Sequence, residues 1–201
     1  MKKARIAVLV SGGGTNLQAL IDAEKSGIIK SGEIVLVISN KQYAYALERA
    51  RNNSIESLVI SNKAYPSREE FEKELIKEID SRGIDIIVLA GFMCILTELF
   101  TSHYPRRIIN VHPALIPSFC GEGYYGLRVH EAALKKGVKV TGATVHYVNE
   151  IPDGGEIIMQ KPVEVLDGDT PEILQRRVME QAEWIILPAS VEKAANEIIN
   201  K

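Results

Sequence analysis

Ala4-Arg5-Ile6-Ala7-Val8-Leu9-Val10-Ser11-Gly12-Gly13-Gly14-Thr15-Asn16 is the stretch that decides the fold. Apart from Arg5, its first seven residues are apolar and rich in β-branched side chains, as in a strand buried on both faces of a parallel sheet. Three glycines follow Ser11 directly. Leu17, Leu20 and Ile21 then recur at helical spacing behind a Thr15/Gln18 pair that fits a capping box. Strand, glycine loop and helix in that order open a βα unit. Glycines let the backbone approach a ligand, and the free N–H groups at a helix start attract an anion such as phosphate. The loop is neither a P-loop nor a complete dinucleotide fingerprint. No Gly-Lys-Ser/Thr follows, and the third glycine of G-x-G-x-x-G would fall at Leu17.

Outward from this unit the pattern repeats. Ile34 to Ile38 is a second apolar run, residues 44–53 look helical, and Leu58-Val59-Ile60 is a short third strand. Ser67 and Glu70 form a second capping box for a helix buried through Phe71, Leu75, Ile76 and Ile79, with Arg68 in its first turn. Ile84 to Ala90 is a further strand, broken at Gly91 to Leu96 before a helix toward Ser102, and Arg107 to His112 is the next. Strands alternating with helices predict an α/β fold: a doubly wound, mainly parallel Rossmann-like sheet with helices on both faces, one domain over residues 1–201. Such sheets bind ligands beyond the carboxyl ends of their strands. Ser11 to Asn16, Met93 to Leu96 and Asn110 to His112 all occupy such ends.

Asn110 and His112 lie two apart on a strand that stops at Pro113, so one face presents an amide and an imidazole together. Imidazole moves protons near neutral pH, and a carboxamide N–H stabilises an oxygen gaining negative charge. Residues 118–126 hold three glycines and three aromatic residues without periodicity, which predicts a loop placed where a lid would act. After a helix over 127–136, Thr144 and His146 alternate with Val145 and Tyr147 in a strand, where His146 fits a hydrogen-bonded structural role better than a catalytic one. Asp153-Gly154-Gly155 closes an acidic turn in which two glycines allow an unusual backbone path. The last predicted helix starts at Thr170-Pro171 and is kinked at Pro188.

Composition narrows the function. Lys and Arg total 24 against 26 Asp and Glu, a net charge of -2 that leaves no footprint for nucleic acid or an anionic membrane. With 46% hydrophobic residues in 201, the chain can bury a sizeable core, yet no apolar run reaches membrane length. Two distant cysteines, Cys94 and Cys120, supply neither a disulfide framework nor metal-ligand spacing, and no export signal is visible. The expectation is a cytoplasmic protein, monomer or homodimer, acting on small molecules without a metal.

Together, Asn110-Val111-His112-Pro113, the Ser11 to Asn16 loop, Leu89-Ala90-Gly91-Phe92-Met93 and Asp153-Gly154-Gly155 closely resemble the folate-dependent phosphoribosylglycinamide formyltransferases, a branch of the formyltransferase family. The resemblance runs nearly end to end. It implies transfer of a formyl group from 10-formyltetrahydrofolate, the co-substrate, to the glycinamide amine of a purine precursor. By that resemblance Asn110, His112 and Asp153 are catalytic, and Gly14, Thr15 and Asn16 hold the substrate phosphate. Arg68, Met93, Cys94, Ile95, Leu96 and Asn110, with the turn Asn149, Glu150, Ile151, Pro152 and Asp153, receive the folate.

Three departures stand out. Cys94 replaces a basic residue common in the family, the segment after Pro117 is longer than usual, and Arg128 stands where a histidine is common before His130. The acid expected on the ribose falls at Glu183 if one extra residue is accepted after Arg177-Val178, and otherwise at Glu180; the helix's buried face favours Glu183. A formyltetrahydrofolate hydrolase or a non-catalytic nucleotide-binding module are the alternatives, and the second leaves Asn110, His112 and Asp153 without a joint purpose.

Overall fold

The computed structural model describes residues 2–200; Met1 and Lys201, the ends of the expected domain, lie outside the described residues. The strands are β1 (Ala4–Val10), β2 (Gly32–Ser39), β3 (Glu56–Val59), β4 (Ile86–Leu89), β5 (Ile108–His112), β6 (Val140–Tyr147) and β7 (Ile157–Glu164). They form one sheet in the order β3-β2-β1-β4-β5-β6-β7. Pairing from β3 across to β5 is parallel, and β6 and β7 add antiparallel.

Helices α1 (Thr15–Lys25), α2 (Tyr45–Asn52), α3 (Arg68–Ser81), α4 (Glu98–His103), α5 (Leu127–Lys136), α6 (Pro171–Val178) and α7 (Trp184–Ile199) cover both faces. The alternation along β1 shows why. Ile6, Val8 and Val10 join one core with Leu17 and Leu20 of α1, Ala46 of α2 and Leu187 of α7, while Ala7 and Leu9 join another with Phe71 and Leu75 of α3 and Phe100 of α4. A strand buried on both faces must be apolar throughout, which explains its continuous hydrophobic run. The strand order reverses between β1 and β4, so the loops after those strands diverge and leave a crevice at the carboxyl edge. Both glycine loop and Met93 to Leu96 segment lie there, with the end of β5 beside them.

Several local expectations are corrected. Thr15 does not cap α1: the cap is Gly14 in left-handed backbone (φ 71°), with no side-chain cap bond. Gln18 instead accepts from Arg49 Nη1 at 3.0 Å. Ser67 does cap α3, accepting from the Glu70 amide at 3.2 Å. The third strand is shifted to Glu56–Val59, since its outer, mostly exposed edge makes apolarity a poor guide to its ends. The last helix is not one kinked rod; a π-helical turn at Met179–Glu183 separates α6 from α7, and Pro188 sits inside α7.

Candidate active site

Antiparallel pairing with β6 sets His146 opposite Asn110 and Thr144 opposite His112. The Asn110 Nδ2 donates to His146 Nε2 at 3.2 Å, and His146 Nδ1–H donates to the Tyr147 carbonyl at 2.8 Å, which fixes the neutral tautomer of that ring. Asp153 arrives from the turn after β6 and stands between the two rings, Oδ2 at 3.5 Å from His112 Nδ1 and Oδ1 at 3.5 Å from His146 Nε2. Its backbone is left-handed (φ 56°). A side chain at Gly155 would bring a Cβ to 1.7 Å from the Tyr147 carbonyl oxygen, so only glycine lets the turn fold back against β6.

His112 is buried at 4% exposure and neither ring nitrogen is idle. Its Nε2–H donates to the Phe119 carbonyl at 2.8 Å, leaving Nδ1 toward Asp153. Burial pushes the imidazole below its ordinary pKa, while Asp153 and the Phe119 carbonyl pull it up and His146 opposes them. The 118–126 loop therefore touches the His112 and Asp153 pair twice, because the Gly121 amide also donates to Asp153 Oδ2 at 2.8 Å. For Asp153, burial favours the neutral form, but the adjoining His146 ring, the charge of His112 and the Gly121 amide outweigh it and leave the carboxyl below its usual range. Behind them His130 is wholly buried, its pKa pushed down to about 4 by burial first and by His112 second. Arg128 does not reach this group; it lies over the Tyr125 ring at 4.9 Å.

At the other end of the crevice, the Gly14 position is shaped by packing. A Cβ there would meet the Ala46 Cβ at 2.7 Å, whereas Gly12 and Gly13 face open space. The amides of Thr15 and Asn16 lie in the first turn of α1, where no intrahelical acceptor exists, so they are free for an anion. Asn16 Nδ2 donates to Glu183 Oε2 at 2.7 Å, and its buried Oδ1 has no partner. The π turn adds one residue to the helical path and rotates Glu183 inward; Glu180 faces out and pairs with Arg176 at 2.8 Å. Glu183 is closed off from water, and burial raises its carboxyl to about 7 against the opposing Asn16 bond.

The folate-assigned residues line two adjoining cavities. One, of about 410 Å³, includes Arg68, Met93, Cys94 and Ile95. The other, of about 130 Å³, joins Cys94, Ile95 and Leu96 to Asn110, His146 and the whole Asn149 to Asp153 turn. Met93, Ile95 and Ile151 are half or more exposed there, apolar surface available to a planar ligand. Cys94 Sγ accepts from Asn40 Nδ2 at 3.0 Å, and burial raises its thiol pKa, so it meets a ligand as a neutral group where a basic residue is common. Among the described residues no cluster of three or more His, Cys, Asp or Glu side chains is arranged to hold a metal ion.

His146 is the residue whose place at the site its alternating strand did not reveal; register with β5 puts it there. The Phe119 carbonyl and Gly121 amide carried no signal, because backbone groups have no sequence identity. Asn16 was visible only as part of the glycine loop, and its bond to Glu183 across the fold was not.

Comparison with known proteins adds independent findings. Residues 4–191 match the family model described as formyl transferase. A phosphoribosylglycinamide formyltransferase of Escherichia coli (strain K12) is 46% identical over 176 residues, 88% of this chain and 80% of that protein. The human trifunctional purine biosynthetic protein adenosine-3 is 44% identical over 97% of this chain, which spans 19% of that longer protein. Glycinamide ribonucleotide transformylase 1 from Symbiobacterium toebii, a crystal structure, superposes with TM-score 0.91 at 42% identity, covering 97% of this chain and 89% of that one.

Proposed function

The chain belongs to the formyl transferase family, and on that premise we propose that its crevice passes a formyl group from 10-formyltetrahydrofolate to the amine of phosphoribosylglycinamide in purine synthesis. Its activity is that of a phosphoribosylglycinamide formyltransferase, working as one unit over residues 1–201 in the cytoplasm. The observation that carries the site assignment is the meeting of Asp153 with His112 at 3.5 Å beside Asn110, at the end of the strand that borders the folate-lined cavities.

Attack of the amine on the formyl carbon makes an oxyanion. Asn110 Nδ2 has two hydrogens and spends one on His146, so the other is free to donate to that oxygen. His112 in its protonated form carries hydrogen on both nitrogens: Nδ1–H then faces Asp153, and Nε2–H, now on the Phe119 carbonyl, is the donor that a substrate oxygen takes over when the loop moves aside. Asp153 favours the imidazolium by charge, and its remaining lone pairs orient water that carries the amine proton toward the leaving folate nitrogen. The ribonucleotide phosphate sits on the Gly14 to Asn16 amides and its ribose on Glu183.

A steady-state assay tests the whole. Tetrahydrofolate should form only when both substrates are present; release without the amine indicates the hydrolase, and no release at all a binding module.

A further inference from the structure

Glu72 is a buried acid to which the site as assigned gives no task. It lies on α3 one turn after Arg68, so the two side chains share a face of that helix; Arg68 lines the larger folate cavity, whereas Glu72 is fully closed to water. Around it α3 and α4 share an apolar core, with Phe71 and Leu75 in the same cluster as Leu96 and Phe100. Burying a carboxyl there costs free energy that a leucine would not, so its presence calls for a reason other than filling space. That reason is Thr97. One carboxyl oxygen accepts from the Thr97 amide at 2.7 Å and the other from the Thr97 hydroxyl. Thr97 stands at the start of α4, where a threonine hydroxyl ordinarily caps its own helix; here no side-chain cap bond forms, and the hydroxyl turns back to Glu72 instead.

Thr97 directly follows the folate segment. Met93 to Leu96 has no regular structure, and among the described residues the amides of Cys94, Ile95 and Leu96 take part in no backbone–backbone hydrogen bond. Side chains hold the segment at its two ends instead. The Met93 amide donates to the buried Ser11 Oγ at 2.8 Å, and the Thr97 amide donates to Glu72. Ser11 belongs to the loop after β1, whereas Glu72 belongs to the helix that carries Arg68. We propose that Glu72 is a positioning residue for the folate co-substrate: through Thr97 it holds Met93 to Leu96 at a fixed offset from Arg68, so that one ligand meets both at once. The assignment rests on the folate site described above. A ligand that spans two contact points gains from such a tether, because its second contact forms at high effective concentration only while the points keep the ligand's own spacing. Bracing α3 against α4 would ask only for volume, which leucine supplies without a polar group.

The test measures the KM for 10-formyltetrahydrofolate and the KM for the ribonucleotide on Glu72→Leu, Glu72→Gln and Thr97→Val. Glu72→Leu fills the space and accepts neither bond; it should raise the folate KM by about tenfold, leave the ribonucleotide KM within about twofold, and lower kcat by less than the folate KM rises. Glu72→Gln keeps an acceptor for the amide and offers a donor to the hydroxyl, so it should recover most of the loss. Thr97→Val removes only the hydroxyl bond and should fall between them. A cycle with Arg68→Ala adds a readout that a brace would not move. Once the spacing is loose Arg68 contributes less, so the folate KM of Glu72→Leu/Arg68→Ala should lie well below the product of the two single losses. A folate KM unchanged in Glu72→Leu, equal rises in both KM values, or multiplicative losses in the cycle overturn the proposal. Should Glu72→Leu fail to fold, Thr97→Val alone and with Arg68→Ala decides it by the same comparison. Should the wild type turn over nothing, the assigned activity fails instead, and equilibrium binding of 10-formyltetrahydrofolate to the same proteins decides Glu72 by the same ratios. A wild type that binds no folate overturns the folate site and the positioning role together.

Discussion

Asp153 and Glu183 are carboxyls at opposite ends of one crevice, both largely closed to water, and their surroundings push them in opposite directions. Asp153 receives the Gly121 amide and faces two imidazoles, and ends below its usual range. Glu183 has one neutral donor, Asn16, and burial lifts it to about 7. Burial raises both; the number and charge of the donors decide the outcome. The difference separates their tasks. A carboxylate held ionised can stabilise a positive charge that appears during the reaction, whereas one poised near neutrality responds to whatever donors a ligand brings.

The largest effect should appear where this comparison is sharpest. Asp153→Asn should lower kcat by about 10²- to 10⁴-fold with little change in either KM, because the imidazolium it supports is needed only on the way to the transition state. The limb of the pH profile belonging to His112 should move to lower pH, since Asp153 is the main group raising that ring against burial. His112→Ala with Asp153→Asn should cost much less than the product of the single losses. Multiplicative losses with an unmoved limb would place Asp153 outside the chemistry, as a brace for the turn and the 118–126 loop.

The glycine loop offers the next contrast. Gly14 is tied to the fold through its positive φ and its closeness to Ala46, so Gly14→Val should destabilise by about 2–4 kcal/mol and blur any effect on binding. Gly13 faces open space, so Gly13→Val should leave the melting temperature nearly unchanged and raise the KM for the ribonucleotide selectively. Equal increases for both substrates would move the phosphate away from this loop.

What could be read in the sequence follows from how each feature is encoded. Buried parallel strands demand continuous apolar runs, so β1, β2, β4 and β5 and the doubly wound order were legible, as was the strand-end pairing of Asn110 with His112. The two glycines after Asp153 marked a turn that by itself read as a solvated hairpin, and only the family resemblance singled out its carboxylate. Contacts made by backbone atoms leave no such trace: neither the Phe119 carbonyl on His112 nor the Gly121 amide on Asp153 depends on a side chain. The Thr15/Gln18 pair misled because glycine in left-handed backbone can begin a helix without a side-chain cap. Glu183 was placed by asking for one extra residue in a helix, and the π turn is that residue.

A stability measurement separates the two carboxyls again. A folded pKa raised to about 7 means that Glu183 holds its proton longer in the native than in the unfolded chain. Its contribution is complete below the unfolded value of about 4.3 and is lost as pH rises through 7. Glu183→Gln keeps an acceptor for Asn16 and never ionises, so relative to wild type it should gain on the order of 2 kcal/mol between pH 5 and pH 8. The sign reverses for Asp153, whose depressed pKa contributes above its unfolded value and is lost as the solution is acidified through the folded one. Denaturant melts of both variants across pH would show opposite slopes relative to wild type; parallel slopes would abolish the contrast.

The smallest effect tests what Glu183 does for the substrate. Ribose hydroxyls donating to its carboxyl favour the ionised form, so binding should lower its pKa and the ribonucleotide should bind more tightly as pH rises through about 7. A drop of one unit corresponds to about a fivefold fall in KM between pH 6 and pH 8. The substrate phosphate complicates this, because its second ionisation lies near pH 6 and the dianion suits the Thr15 and Asn16 amides better. Both sources tilt the profile the same way, and the wild type alone cannot divide them. Glu183→Gln removes only the carboxyl's share: the phosphate limb near pH 6 should persist, and the additional improvement through pH 7 should vanish. Glu180→Gln, which loses only an exposed pair with Arg176, should retain both. A full wild-type slope in Glu183→Gln would assign the whole pH dependence to the phosphate and leave Glu183 as a structural anchor for Asn16.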